Sequence, residues 1–169
     1  MIFGHLPAGY ITSKLISERL ENCPFFYKTC MFWGLFGAVA PDTDLLYSLL
    51  IDHAYHHNYV THFPIFWLTL LLISLLWLQL DKTRSKVPAL CFIFTLNALI
   101  HLILDTVTGH ILWLAPFTNQ QFSLITESSG GAHYFTQWGF GLEFFLMFWA
   151  LFLWLTSCIQ EIKHKKSIA

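Results

Sequence analysis

The chain has 169 residues and a formal net charge of −1; 56% of its residues are hydrophobic, 18% aromatic and only 11% charged. Soluble domains carry about 25% charged residues, so this composition excludes a water-clothed globule, and the near-neutral charge excludes the basic stripe that nucleic acid demands. The length allows one domain, and we read residues 1–169 as a single integral-membrane domain of the all-α class.

The first segment, residues 2–20, has helical stretches but carries Pro7, Gly9 and Lys14, which make it a poor full span. It either lies on the surface as an amphipathic helix or dips in as a short first helix. It has no basic stretch leading into an apolar core and a small-residue cleavage site, so no cleavable signal peptide is expected. The next segment, 24–48, is apolar apart from Lys28 at its start and Asp42 and Asp44 near its end. Residues 63–80 contain no charge, and residues 87–113 are interrupted only by His101, Asp105 and His110. The last span, 138–159, carries a single acid, Glu143. A membrane helix needs about 20 mostly apolar residues, so the expected architecture is a bundle of four transmembrane helices plus a short N-terminal helix. Cys23, Cys30, Cys91 and Cys158 have no CxxC spacing and read as packing residues.

Basic residues mark the cytoplasmic side. Lys14, Arg19 and Lys28 precede the second segment, Lys82, Arg84 and Lys86 fill a tight loop, and Lys163, Lys165 and Lys166 form the tail. One topology places all of them in the cytoplasm. The opposite side then receives Asp52, His53, His56, His57, His62, His110, Glu127 and His133, with no lysine or arginine.

The nine histidines equal lysine and arginine combined, and they gather where the acids are. His101 and Asp105 are four residues apart, so both leave one face of a helix. Ionisable groups within a span usually face the bundle interior and mark a functional site; the plainer reading is a hydrogen-bonded structural pair. In Ala40-Pro41-Asp42-Thr43-Asp44 the proline ends or bends a helix, so the two carboxylates need not diverge. They repel unless a cation sits between them, and hard oxygen ligands suit a divalent metal; a solvated turn is the alternative. His53, His56, His57 and His62 fall within ten residues of loop, and neutral imidazole is a common transition-metal ligand. Glu143 is a general base, a further ligand or a structural acid. Glu127 and His133 are weaker candidates, and His164 among the tail lysines reads as solvated.

The order His5-x-x-x-Gly9, Pro41-Asp42-Thr43-Asp44, His57, Thr61-His62 and His101-x-x-x-Asp105, continued by Gly109 to Phe117, resembles the inner-membrane metal-dependent hydrolases. That family is also described as LexA-binding and membrane-associated. The resemblance covers roughly residues 5–124. It implies a bacterial inner-membrane location and a metal site made of His5, Asp42, Asp44, His57, His62, His101 and Asp105. For His5 to join, residues 2–20 must form the short first helix, with its start at the outer side. The chain departs from the family at Leu45, where a histidine is usual, at Asn58, usually arginine, and at Phe63, usually serine. The absent arginine removes a natural clamp for phosphate or carboxylate.

Together these readings predict one or two divalent ions, zinc or manganese, activating water against an ester, amide or phosphoester bond, with Glu143 or Asp44 as general base. The membrane boundary points to a lipid or lipid-linked substrate, with membrane lipid as partner. Two rivals stand beside this: a non-catalytic metal-binding or partner-binding membrane protein, and a di-iron desaturase or hydroxylase, whose HxxHH box His53-x-x-His56-His57 resembles.

Overall fold

Prolines and polar turns, more than changes in hydropathy, decide where the helices of this apolar chain begin and end. The computed structural model describes residues 3–20, 24–52, 56–83, 85–124 and 138–168. Among them the α-helices are α1 (His5–Leu20), α2 (Pro24–Val39), α3 (Thr43–Tyr47), α4 (Pro64–Leu80), α5 (Val87–Thr108) and α6 (Trp138–Ile168). A π-helical turn, Ser48–Asp52, and two 3-10 turns, His56–Asn58 and Val60–His62, carry the chain from α3 to α4. Pro64 and Pro88 sit in the first turns of α4 and α5, where a missing N–H costs nothing. The short α4–α5 loop is held by Asp81, whose carboxylate accepts the N–H and hydroxyl of Thr83 and the N–H of Ser85.

The protein is all-α, but the expected set of four full spans is corrected. Among the described residues two helices, α5 and α6, are long and apolar enough to cross a membrane, or three spans if the bent pair α2 and α3 is one. The expected span 24–48 breaks at Val39 and bends by 46°, because Pro41 has no N–H to donate and its ring crowds the preceding turn. The chain crosses that break by tight turns, Asp42 N–H to Val39 O at 3.1 Å and Thr43 N–H to Ala40 O at 3.2 Å. The expected span 63–80 is the 17-residue helix α4, about 25 Å long against roughly 30 Å of hydrocarbon. The expected span 87–113 stops at Thr108: the Gly109 N–H closes on Asp105 O at 2.6 Å, and residues 111–122 fold back through an isolated bridge. The final helix overshoots its expected end at 159 and runs to Ile168, helped by a Glu161–Lys165 pair one turn apart.

The helix α5 is central: α2 and α4 pack along it, and α1 packs on α2, α5 and α6. Close approach here depends on small residues repeated every fourth position, Gly9, Ser13 and Ser17 on α1 against Cys30, Gly34 and Ala38 on α2. A Cβ at Gly34 would fall 1.7 Å from Ser13 Oγ, and one at Gly37 would fall 2.2 Å from the Phe94 carbonyl oxygen. Such small-residue seams let membrane helices gain van der Waals contact that lipid cannot offer. Asn97 of α5 donates across the seam to Ser13 Oγ at 3.3 Å. The outward surface is apolar, with Phe145, Phe148, Phe152 and Trp154 of α6 exposed, the pattern of a lipid-facing helix.

Because the Gly37 contact is with backbone, nothing there can rotate away. Gly37→Ala is expected to lower the thermal unfolding midpoint in detergent, at a cost of about 1–3 kcal/mol from overpacking. Gly141→Ala, where an added Cβ meets nothing within 4 Å, should leave the midpoint unchanged or raise it.

Candidate metal centre

His101 and Asp105 stand one turn apart on α5, and both are almost fully buried. The His101 ring is oriented from behind: its Nδ1–H donates to the Ala38 carbonyl on α2 at 2.7 Å. A carbonyl can only accept, so Nδ1 carries the proton and Nε2 of the neutral ring presents a lone pair. Asp105 Oδ2 approaches that Nε2 at 2.9 Å, yet the nitrogen has no hydrogen-bond partner among the described residues.

The break after α2 supplies the acids. Asp42 Oδ1 lies 3.4 Å from His101 Nε2 and 3.7 Å from His62 Nε2. Asp44, two residues on, turns behind His62 and meets its Nδ1 at 2.6 Å. The Thr61 hydroxyl donates to the same Asp44 oxygen. A carboxylate at Nδ1 fixes the tautomer and leaves Nε2 as the donor atom, the usual arrangement behind a metal-binding histidine. The 3-10 turn bearing His62 is pinned to α4 by Trp67, whose Nε1–H donates to the Thr61 carbonyl at 2.7 Å. His62 has its pKa raised: burial opposes the charged ring, but the Asp105 and Asp44 carboxylates outweigh it.

Two further imidazoles close the arrangement. His5, at the first turn of α1, places Nε2 3.1 Å from Asp105 Oδ1 and stacks on His101 with centroids 3.7 Å apart. His57 Nδ1 faces the His110 carbonyl at 3.3 Å, its Nε2 lies 3.9 Å from Asp105 Oδ2, and its ring stacks on His62 at 4.6 Å.

The innermost donors are Asp42, His62, His101 and Asp105, whose ligand atoms all lie within 4.8 Å of one another. A tetrahedral ion with bonds near 2.1 Å places its ligand atoms about 3.4 Å apart. The four His–Asp separations run from 2.9 Å for His101–Asp105 to 3.8 Å for His62–Asp105, and all pairs of the set lie within 4.8 Å, so the four could hold one divalent cation. Charge argues the same way. No lysine or arginine occurs between Lys28 and Lys82 or between Lys86 and Lys163, so these stretches offer the buried acids only histidine as a cationic side chain.

Of the residues singled out from sequence, His5, His57 and Asp44 surround that inner set of donors. Glu143 is not among the four inner donors; it is buried on α6 and accepts the Phe3 N–H at 3.1 Å, two residues before His5. His53, Glu127 and His133 lie outside the described residues, as does the side chain of His56, so the HxxHH box is not described as a unit. Two supporting groups were not foreseen. Thr61 had one signal, its place before His62; the Ala38 carbonyl had none, because a backbone acceptor leaves no trace in residue type.

A family model described as YdjM inner membrane protein matches residues 1–165. No curated protein and no solved structure matches the chain.

Elemental analysis of detergent-purified protein should find one divalent ion per chain, absent from a folded His101→Ala, Asp105→Ala variant. Asp44→Asn should retain the ion with affinity weakened about 10–100-fold, the usual cost of losing a histidine's supporting carboxylate. A wild-type chain that is metal-free and takes up none of the zinc, manganese or iron offered would refute the assignment.

Proposed function

The chain belongs to the YdjM inner membrane protein family, and on that premise we propose that it is a membrane-embedded, metal-dependent hydrolase of an ester, amide or phosphoester bond. The observation that carries the reading is the buried set of two histidines and two aspartates with ligand atoms within 4.8 Å of one another. When bound, a zinc or manganese ion supplies Lewis acidity toward the scissile carbonyl or phosphoryl oxygen and toward a water nucleophile.

The protein's own residues divide the remaining work. Asp42 is the carboxylate of the cluster open to the exterior, with 36% of its side chain exposed against 3% for Asp105. Substrate therefore approaches past Asp42, and its outer oxygen takes the proton lost by the attacking water. Asp44 acts through His62 and is a positioning residue. Glu143 acts through the Phe3 backbone, holding the start of α1 so that His5 reaches Asp105. Sealing of His62 and His101 excludes bulk water from the donor side and strengthens every charge interaction there.

An inner-membrane, multi-pass protein follows from the family and from several apolar helices. We place the site toward the outer face, with the basic loops and C-terminus in the cytoplasm and with α4 as a further, short crossing. Local thinning of the bilayer accommodates the short helices α1 and α4.

Activity should appear on ester or phosphoester probes presented in detergent micelles and disappear on chelation. Asp42→Asn should lower kcat about 100-fold or more, the usual contribution of a general base. Hydrolysis that persists undiminished in the metal-free His101→Ala, Asp105→Ala protein would sink the mechanism. Orientation has its own check, in a chain whose four native cysteines are serine. A cysteine at Gln120 should react with an impermeant maleimide in intact cells, and one at Ser85 only after permeabilisation.

A further inference from the structure

The helix α6 leans on α1 and leaves a cleft on the side facing α5. Ala8, Ile11 and Leu15 of α1, Ile100 and Leu104 of α5 and Trp149 of α6 line it, and its volume is about 360 Å³. Thr12 adds a hydroxyl to the wall, but that group is engaged with the Ala8 carbonyl at 2.9 Å. The floor is continuous with the buried apolar cluster of Ala8, Ile11 and Leu146.

One end of the cleft adjoins the polar site. Ala8 lies one turn below His5, Leu104 precedes Asp105, and Leu146 lies one turn below Glu143. The other end, at Leu15 and Trp149, lies deeper along the helices, about 10 Å from Ala8 by helix rise. The cleft is apolar along that length and open on its outer side. Within hydrocarbon, water does not fill such a space, because its walls present nothing to hydrogen-bond. A polymethylene chain matches that apolar lining, and a polar head joined to the chain would fall at the His/Asp cluster.

We propose that this cleft holds one acyl chain of a lipid whose head lies at the His/Asp cluster. The proposal rests on the hydrolase reading and names its substrate class, an acyl lipid with its scissile ester or phosphoester bond near the head.

The test uses full-length protein in vesicles of phosphatidylethanolamine and phosphatidylglycerol, doped with one of two phospholipids bearing a photoactivatable diazirine. One carries it near the carboxyl end of the chain and the other at the methyl end. The first should label Ala8 and Leu104, and the second Leu15 and Trp149, each above the level at Phe152, which faces lipid on α6 and is 62% exposed. Leu104→Trp should fill the cleft and cause loss of labelling at Ala8 and Leu15 while bound metal is unchanged. If that variant does not fold, the wild-type map decides alone. Labelling no greater than at Phe152, or independent of diazirine position, would overturn the proposal. So would protection of the cleft in a chemically cross-linked dimer, which assigns it to a second copy. A depth-ordered map in a chain that binds no metal would uphold the acyl site and remove the hydrolase, so the two ideas fail separately.

Discussion

A carboxylate cannot be left alone inside an apolar bundle, and the burial of Asp105 is the constraint around which this protein is built. A charged group at that depth costs several kcal/mol unless donors or an opposite charge face it. His5 faces it from α1 at 3.1 Å and His57 Nε2 lies 3.9 Å away, while His101 at 2.9 Å and His62 at 3.8 Å turn the lone pairs of their Nε2 atoms toward it. The four histidines come from three stretches of chain. Satisfying one side chain thus requires α1, α5 and the loop before α4 to converge. A cation among the same atoms would supply the compensation that these lone pairs cannot.

Convergence is possible because the polar and small residues keep the same four-residue step. On α1 the step runs His5, Gly9, Ser13 and Ser17; on α5 it runs Asn97, His101 and Asp105. On α2 it passes through Gly34 to Ala38, whose carbonyl receives the His101 ring. Lower positions of the steps bring the backbones together, and the upper positions carry the site. The packing and the chemistry are therefore not separable modules: a bulky residue at Gly34 or Gly37 would push α1 or α5 outward and carry His5 or His101 with it.

The surroundings of the cluster are asymmetric in a useful way. Behind it, Asp44, itself held by the Thr61 hydroxyl, and the Ala38 carbonyl hold the imidazoles of His62 and His101 by their far nitrogens. In front, the break at Pro41 leaves Asp42 half-open to the exterior. The helix α6 contributes no atom to the inner four donors; its buried Glu143 reaches the chain at Phe3. It behaves as a brace for α1, and the space it leaves beside α5 follows from bracing one helix and not the other.

Much of this was legible from the residues. Composition alone requires lipid-facing surfaces, the four-residue step joins His101 to Asp105, and the absence of lysine and arginine around the acids points to a cation. Those are local or summed properties, which a one-dimensional string records directly. The extents of the spans were less legible. Hydropathy does not register that Pro41 bends the second segment, or that residues after Gly109 fold back on α5 although they are as apolar as those before. Nor does it separate the roles of two aspartates two residues apart. Asp42 enters the cluster and Asp44 stands behind His62 because of a 46° bend and a 3-10 turn pinned by Trp67. That Glu143 accepts the Phe3 N–H was not legible either, because it depends on α6 packing on α1. Sequence determined which groups had to be buried and compensated. Only tertiary structure decided which of them meet, since that depends on how closely whole helices pack and at what angle each chain break redirects them.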